Sequence, residues 1–221
     1  MPAFADTNAH GRRERNKLSK QRRLIQAGKN AFLVDGFVGA SVERIAAAAD
    51  VARGTFYLYF PDKEALFAHV MDHFFGPLLV GVRSARDELA ACPDTASTFP
   101  VYGRLGLVLS SHLVTHQDEA RLYFAEARAV GAGGDQIRRC MAQIEQLTEE
   151  ILADAVRRGT LRPHDERGVA LAIVGGIERL VYGFLQGDRR LDPQRVTAEV
   201  IQLFRYGLAP QLHAGQNIRS G

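Results

Sequence analysis

The sequence predicts an all-helical protein in which an N-terminal three-helix domain of the helix-turn-helix type is joined to a larger C-terminal helical bundle. Apolar residues recur every three or four positions along most of the 221-residue chain, which is the spacing of a buried helix face. Sustained polar–apolar alternation, which marks half-buried strands, is nearly absent, and the chain has no Asn-Gly hairpin turn. Breaks such as CPDTAST, GAGGD and RGTLRPHD separate the periodic segments.

The composition is that of an ordinary globular protein, with 46% hydrophobic and 24% charged residues. The N-terminus lacks the pattern of a signal peptide, and no uncharged apolar run approaches the length of a membrane span. Cys92 and Cys140 are isolated, which fits a reducing compartment and argues against a disulfide framework or structural zinc. We therefore expect a cytoplasmic protein with no membrane partner.

Positive charge is concentrated in the first third of the chain. Residues 1–63 carry 11 Lys/Arg and 6 Asp/Glu, whereas residues 64–221 carry 17 and 19. This excess favours a polyanionic partner for the N-terminal domain, although a solvated basic tail would give the same balance. Residues 1–17 are polar and Arg-rich, and we expect them to form a disordered basic tail.

Residues 18–63 are expected to form three short helices. The first has an apolar stripe and ends at Asp35-Gly36, the second begins after the N-cap Ser41, and the third spans Ala52–Phe60. Pro61 ends the third helix, and Asp62 is suited to cap a fourth. The apolar positions of the first two helices are Leu24, Ala27, Gly28, Ala31 and Phe32, followed by Val42, Ile45, Ala46 and Ala49.

The third helix carries an unusual set of side chains for an exposed short helix. Phe56 and Phe60 lie four residues apart and should face the core, which turns Arg53, Thr55, Tyr57 and Tyr59 outward. Arginine, hydroxyl and phenol groups suit contacts with base edges and phosphates. In the alternative interpretation the tyrosines are core aromatics and Arg53 is a solvated residue at the helix start.

The run Arg22–Phe67 resembles the DNA-binding domain of the TetR family of repressors, most specifically in the segment GTFYLYFPDK from Gly54 to Lys63. The resemblance implies a homodimer that binds double-stranded DNA at a palindromic operator and is released by a small, often hydrophobic effector. It also implies that Arg53 reads a base and that Gly54 lets the backbone approach DNA. Contacts with a base or with the sugar-phosphate backbone are implied for the remaining candidates, which are Ser41, Arg44, Thr55, Tyr57, Tyr59 and Lys63.

Two positions depart from the pattern of that family. Asp50 stands where the family commonly has glycine, and aspartate tolerates the left-handed backbone of the turn better than most residues do. Ala52 stands where a serine or threonine commonly caps the recognition helix, so we expect that cap to be missing.

Residues 64–221 are expected to form the regulatory domain. Gly76-Pro77 is predicted to end the fourth helix, and further helices are predicted at 78–91, 99–116, 118–130, 135–158, 166–187 and 193–208. Helix 166–187 is apolar around most of its circumference and contains Gly175, Gly176 and Gly183. Together with helix 193–208 it is the candidate dimer interface, which agrees with the resemblance. Alternatively, helix 166–187 is the central core of a monomer.

Apolar residues of the regulatory domain could line an effector cavity or could simply form its core. The candidates are Phe67, Phe74, Phe75, Leu105, Leu109, Leu113 and Phe124. His69/His73 and His112/His116 have metal-chelating spacing but no evident third ligand, and Ser110 lacks a nucleophile motif. We therefore expect no metal, no cofactor and no enzymatic activity. An enzyme site in the bundle and a helical adaptor that binds no DNA are the alternative hypotheses.

Overall fold

The computed structural model describes the backbone of residues 5–209, and the side chains of residues 11–192 together with most of those between 195 and 209. Within this range the chain forms nine helices and no strand, so the all-helical prediction is confirmed. The helices are α1 Ala5–Gly39, α2 Val42–Ala48, α3 Arg53–Phe56, α4 Lys63–Ala91, α5 Thr95–Thr115, α6 Gln117–Glu126, α7 Ala132–Arg157, α8 Glu166–Leu185 and α9 Pro193–Leu208.

The helices form two compact units. The first unit contains the described residues up to Phe75 and the segment Gln117–Arg139, and the second contains Gly76–His116 and the described residues from Cys140 onward. The predicted domains are two consecutive segments that meet at Lys63. Each compact unit is instead built from two separate segments of the chain, and α4 and α7 contribute to both units.

The core of the first unit is built from the apolar faces predicted for α1 and α2. Leu24, Phe32 and Ile45 are almost fully buried. The Phe67 ring packs edge-on against Phe32 and Phe37, with ring centroids 5.3 and 5.0 Å apart. Edge-to-face packing is favoured by the quadrupoles of the rings. These contacts between α1 and α4 therefore stabilise the fold by more than the burial of apolar surface alone.

Both ends of α1 differ from the prediction. The helix begins at Ala5, so residues 5–17 are helical where we expected disorder, and residues 1–4 lie outside the described residues. The Arg, Lys and Glu residues of this segment are good helix formers, which explains the difference. At the other end, Gly36 interrupts the helix as predicted, with φ 71° and ψ 170°, but a further turn continues to Gly39.

The predicted break at Gly76-Pro77 is wrong. α4 runs through Pro77 as one helix from Lys63 to Ala91. Proline in a helix removes one backbone hydrogen bond, at a cost of about 3 kcal/mol. Eleven buried apolar residues recur at helical spacing on both sides of Pro77. The free energy gained by burying them outweighs the cost of the proline. These residues are Leu66, Phe67, Val70, Met71, Phe74, Phe75, Leu78, Leu79, Val82, Ala85 and Leu89.

In the second unit, α4, α5 and α7 share a core that includes Val82, Val101 and Ile151. A smaller cluster joins α7, α8 and α9 through Leu152, Ala170 and Leu208. α5 starts four residues before its predicted beginning, because Asp94 caps it in a reciprocal hydrogen-bond pattern with Ser97. α6 ends at Glu126, four residues earlier than predicted, and Gly131 has φ 113° in the following loop.

By length and composition alone, α4 and α8 are apolar enough to span a membrane, a test that the core helices of soluble proteins also pass. Half of the most apolar segment of α4 is buried inside the protein, whereas only 17% of that of α8 is buried. The apolar residues of α4 are therefore explained by the fold, and those of α8 leave an exposed surface.

Gly36 gives a direct test of the backbone between α1 and α2. Its φ and ψ lie in a region that only glycine adopts readily, so Gly36→Ala should lower the free energy of unfolding by about 1–3 kcal/mol. Urea denaturation measures the change. Gly54→Ala is the matched control, because an added Cβ there meets no atom within 4 Å, and its stability should be unchanged or slightly higher. Equal losses in both variants would contradict the strain argument.

Candidate nucleic-acid interface

The turn between α2 and α3 is formed as the sequence predicted. The Ser41 hydroxyl oxygen accepts a hydrogen bond from the Arg44 amide at 3.3 Å and caps α2. Asp50 has φ 52°, the left-handed conformation expected at the position where the TetR family commonly has glycine. Ala52 precedes α3 without any side-chain cap. Both departures from the TetR pattern are therefore accommodated by the backbone.

The third helix is shorter than predicted. α3 ends at Phe56, and the chain continues through a tight turn in which the Tyr59 amide donates to the Phe56 carbonyl at 2.9 Å. Pro61 prevents the helix from continuing past this turn, since a proline disfavours helical geometry in the residue before it. Phe56 and Phe60 are buried, as predicted, and they attach this segment to the core.

The outward face of this segment carries most of the predicted contact residues. Arg53 and Gly54 are exposed, Tyr57 is 45% exposed, and Thr55 and Tyr59 are half-buried. Leu58 is 81% exposed on the same turn, and the sequence analysis did not select it. An apolar side chain here suits contact with a sugar or a thymine methyl group. The sequence could have predicted this exposure, because Leu58 lies off the helical spacing of the buried Phe56 and Phe60.

Arg53 is held between two partners. Its guanidinium forms an ion pair with Glu43 of α2 at 2.9 Å and a long hydrogen bond to the Tyr57 hydroxyl at 3.5 Å. The same group lies 5.9 Å from the centroid of the Tyr57 ring. The bond to Tyr57 and the nearby Glu43 carboxylate both raise the pKa of Arg53, so this side chain stays charged.

Two other arginines of the first unit are also paired with carboxylates. Arg44 lies 2.9 Å from Asp35, and Arg23 lies 3.1 Å from Asp50. The Asp35 side chain is only 20% exposed, but both arginines are accessible, at 65% for Arg44 and 43% for Arg23. Ion pairs at a surface are worth roughly 0–1 kcal/mol, so a phosphate can replace the carboxylate. A DNA phosphate can therefore bind Arg44 only if it displaces Asp35.

The structure shows which groups of the chain itself bind Lys63. Its ammonium group donates to the carbonyl oxygens of Phe37, Val38 and Ala40 at 2.9, 3.1 and 3.1 Å, and it lies 4.9 Å from the centroid of the Phe37 ring. These bonds use all of its N–H donors. The physical reason is the end of α1, where the last carbonyls have no helical partner. Lys63 therefore satisfies the backbone carbonyls at the end of α1 and just before α2, and its phosphate contact stays a prediction.

The same connection is held from the other side by α6. Glu126 is 7% exposed, and its carboxylate accepts a hydrogen bond from the Phe37 amide at 2.9 Å. Both backbone polar groups of Phe37 are thus bound by charged side chains, and we call Lys63, Phe37 and Glu126 the Phe37 clamp. Sequence analysis missed Glu126 because a glutamate in a helix has the pattern of a solvated residue.

A second charged link joins α6 to α1. The Lys29 ammonium lies 3.1 Å from Glu119 and 3.7 Å from Asp118. Side chains of Lys29 and Glu119 are mostly buried, so water screens this pair less than the arginine pairs described above. α6 is therefore anchored to α1 at two points.

The predicted effector residues are divided between the two units. Phe67, Phe74 and Phe75 are buried in the first unit, where Phe75 packs edge-on against Tyr123 at 5.7 Å. Phe124 is half-buried in that unit as well. Leu105, Leu109 and Leu113 are half-buried on α5 in the second unit. Packing of Phe67 against Phe32 and Phe37 accounts for its burial without a ligand.

The histidine pairs do not extend into larger clusters. The His112 and His116 rings stack with centroids 4.3 Å apart. Among the residues that the structure describes, no group of three or more His, Cys, Asp or Glu side chains could hold a metal ion.

The contact of Lys63 with the backbone carbonyls is testable. Lys63→Met should lower the free energy of unfolding by about 2 kcal/mol or more, because it removes three hydrogen bonds from a charged donor and each is worth roughly 1.5–3 kcal/mol. Chemical denaturation measures this loss, and Lys20→Met, at an exposed position of α1, is the control. A variant of unchanged stability that binds DNA less tightly would restore the phosphate contact.

Comparison with known proteins agrees with this geometry. The sequence profile described as "Bacterial regulatory proteins, tetR family" matches residues 24–70, which include all of α2 and α3. Over 70 residues, the chain is 36% identical to the transcriptional repressor DhaR of Mycobacterium sp. (strain GP1), an alignment that covers 32% of this chain and 35% of DhaR. The structure of FadR from Bacillus subtilis in complex with stearoyl-CoA has a TM-score of 0.66 at 20% identity, covers 85% of this chain and 98% of its own, and shows the same fold.

A further similarity extends over nearly the full length. The chain is 30% identical over 203 residues to the helix-turn-helix transcriptional regulator YdgC of Bacillus subtilis (strain 168), which covers 91% of this chain and 97% of YdgC. The chain therefore belongs to the TetR family of bacterial helix-turn-helix transcriptional regulators.

Proposed function

We propose that this chain is a repressor that binds a palindromic operator as a homodimer and leaves it when a small hydrophobic effector binds. Residues 18–63 would contact DNA and residues 64–221 would regulate that contact. The observation that carries the proposal is the exposed surface of Arg53, Gly54 and Tyr57, which the buried Phe56 and Phe60 fix to the core.

Each residue of this surface has a role that its chemistry supports. Arg53 can donate two parallel hydrogen bonds to a guanine edge in the major groove. Gly54 has open space around it, and its missing side chain would let the backbone approach DNA closely. Hydroxyl and guanidinium groups suit the sugar-phosphate backbone. We assign that role to Ser41, Arg44, Thr55, Tyr57 and Tyr59.

Exposed apolar residues on α8 and α9 support a homodimer. Leu171 and Tyr182 on α8 are 42% and 43% exposed, and Leu203 and Tyr206 on α9 are 69% and 72% exposed. Large apolar patches on a helical surface mark interaction sites. Dimerisation would place two reading segments in successive major grooves, about 34–36 Å apart.

The three glycines of α8 named in the sequence analysis divide into two groups. An added Cβ at Gly175 or Gly176 would meet no atom within 4 Å, so a second helix could approach there. At Gly183 the added Cβ would lie 2.7 Å from the Leu191 side chain, so this glycine serves packing within the chain.

Effector binding is supported by the apolar character of the half-buried face of α5, which carries Leu105, Leu109 and Leu113. An effector changes the DNA affinity only if it binds the DNA-bound and the DNA-free states of the protein with different affinities. Stearoyl-CoA, which the FadR structure contains, is a suitable first probe. α4 is continuous from Lys63 to Ala91 and follows α3 closely in the chain. Lys63 and Glu126 bind the backbone of Phe37 shortly before α2. An effector would therefore act on α3 through α4 and the Phe37 clamp.

An operator selected from random DNA tests the proposal. Wild-type protein should retain one palindromic sequence in gel-shift titrations at physiological salt. Arg53→Ala should lower the discrimination at one base-pair position per half-site by about 1–3 kcal/mol, because the base contact is lost. Gly54→Ala should weaken binding without loss of stability. A wild-type protein that prefers no sequence would refute the DNA-binding role.

The dimer interface makes a separate prediction. Leu171→Glu should shift the protein from dimer to monomer, because it places a charge on the apolar face of α8. Analytical ultracentrifugation at micromolar concentration measures the change. Val130→Glu, at a 98% exposed loop position, is the matched control and should stay dimeric. A dimeric Leu171→Glu variant would show that the interface lies elsewhere.

A further inference from the structure

Glu43 is the acidic residue in contact with the candidate base-reading arginine. It lies in the first turn of α2, and its carboxylate is 2.9 Å from the Arg53 guanidinium at the start of α3. Both side chains are more than half exposed, so burial does not force them together. The pair spans the two helices of the helix-turn-helix motif, and a packing role does not account for it.

Tyr57 also restricts the movement of the Arg53 side chain. Its hydroxyl lies 3.5 Å from the guanidinium, and its ring lies 5.9 Å from the guanidinium carbon. An unrestrained arginine loses considerable side-chain entropy when it binds, and a side chain fixed beforehand loses less. The contacts with Glu43 and Tyr57 thus favour one orientation of the guanidinium before DNA arrives.

A carboxylate beside a DNA-contacting arginine also changes which partners that arginine accepts. Guanidinium binds phosphate as readily as it binds a guanine edge, and phosphates are present at every position of every sequence. Glu43 repels phosphate and neutralises Arg53, which lowers the gain from sequence-independent contacts. Specificity is a difference of affinities, and a repulsive group can supply it.

We propose that Glu43 is a positioning residue for base reading: it directs Arg53 toward a base edge and away from phosphate, and so sets operator specificity. This inference rests on the proposed DNA-binding function. Glu43 lowers the affinity for unrelated DNA more than the affinity for the operator. Arg44 and Arg23 are paired too, with Asp35 and Asp50, but neither is on α3, so their pairs do not restrain the reading residue.

The test compares Glu43→Gln with Glu64→Gln, which removes the same charge from an exposed position in the first turn of α4. Gel-shift titrations would use the selected operator, its single base-pair variants and unrelated duplex DNA. Glu43→Gln should bind unrelated DNA more tightly than the control does. Its preference for the base pair that Arg53 reads should fall by about fivefold or more, a large part of what one base contact supplies. Preferences at the other positions should stay constant.

A double-mutant cycle separates positioning from a general charge effect. In the Arg53→Ala background, Glu43→Gln should have no further effect on base preference, because the residue that it positions is gone. Persistence of the effect there, or identical results for Glu43→Gln and Glu64→Gln, would overturn the inference and leave the proposed function standing. If the wild-type protein prefers no sequence at all, the proposed function fails and this inference fails with it. Circular dichroism melts confirm that each variant is folded.

Discussion

The hydrogen bonds to the backbone of Phe37 hold the end of α1, from which α2 and α3 follow. Lys63 binds the Phe37 carbonyl and Glu126 binds its amide, so the connection between α1 and α2 is held by side chains from α4 and α6. Gly36 makes this arrangement possible, because its backbone leaves the helical region just before the clamp. The position of α2, and through the turn at Asp50 that of α3, depends on these contacts.

The local features of the fold could be predicted because their causes lie close together in the sequence. Ser41 caps α2 and Asp62 caps α4, each within three residues of the amide that it binds. The turn residue Asp50 and the buried Phe56 follow from the same short-range rules. α4 was divided incorrectly, because the rule that proline ends a helix does not weigh the burial on either side of Pro77.

The charged contacts of the site could not be predicted in the same way. The partners of Lys63 are backbone carbonyls, which carry no sequence signal, so the family resemblance indicated only a phosphate contact. Glu126 binds a residue 89 positions away, and Lys29 binds one 90 positions away. Arg53 was identified correctly as an exposed residue, but its pairing with Glu43 depends on the angle between α2 and α3, which the sequence alone does not determine.

The ion pairs of the first unit have a consequence for how DNA affinity depends on salt. A cation that binds a phosphate normally releases a condensed counterion from DNA, and each such release steepens the fall of affinity with salt concentration. Arg23 and Arg44 must first leave Asp50 and Asp35, and each freed carboxylate then attracts a cation from solution. Counterions released by the DNA are thus partly recaptured by the protein. The affinity of this regulator should therefore be less sensitive to ionic strength than the number of arginines near its DNA-binding surface suggests.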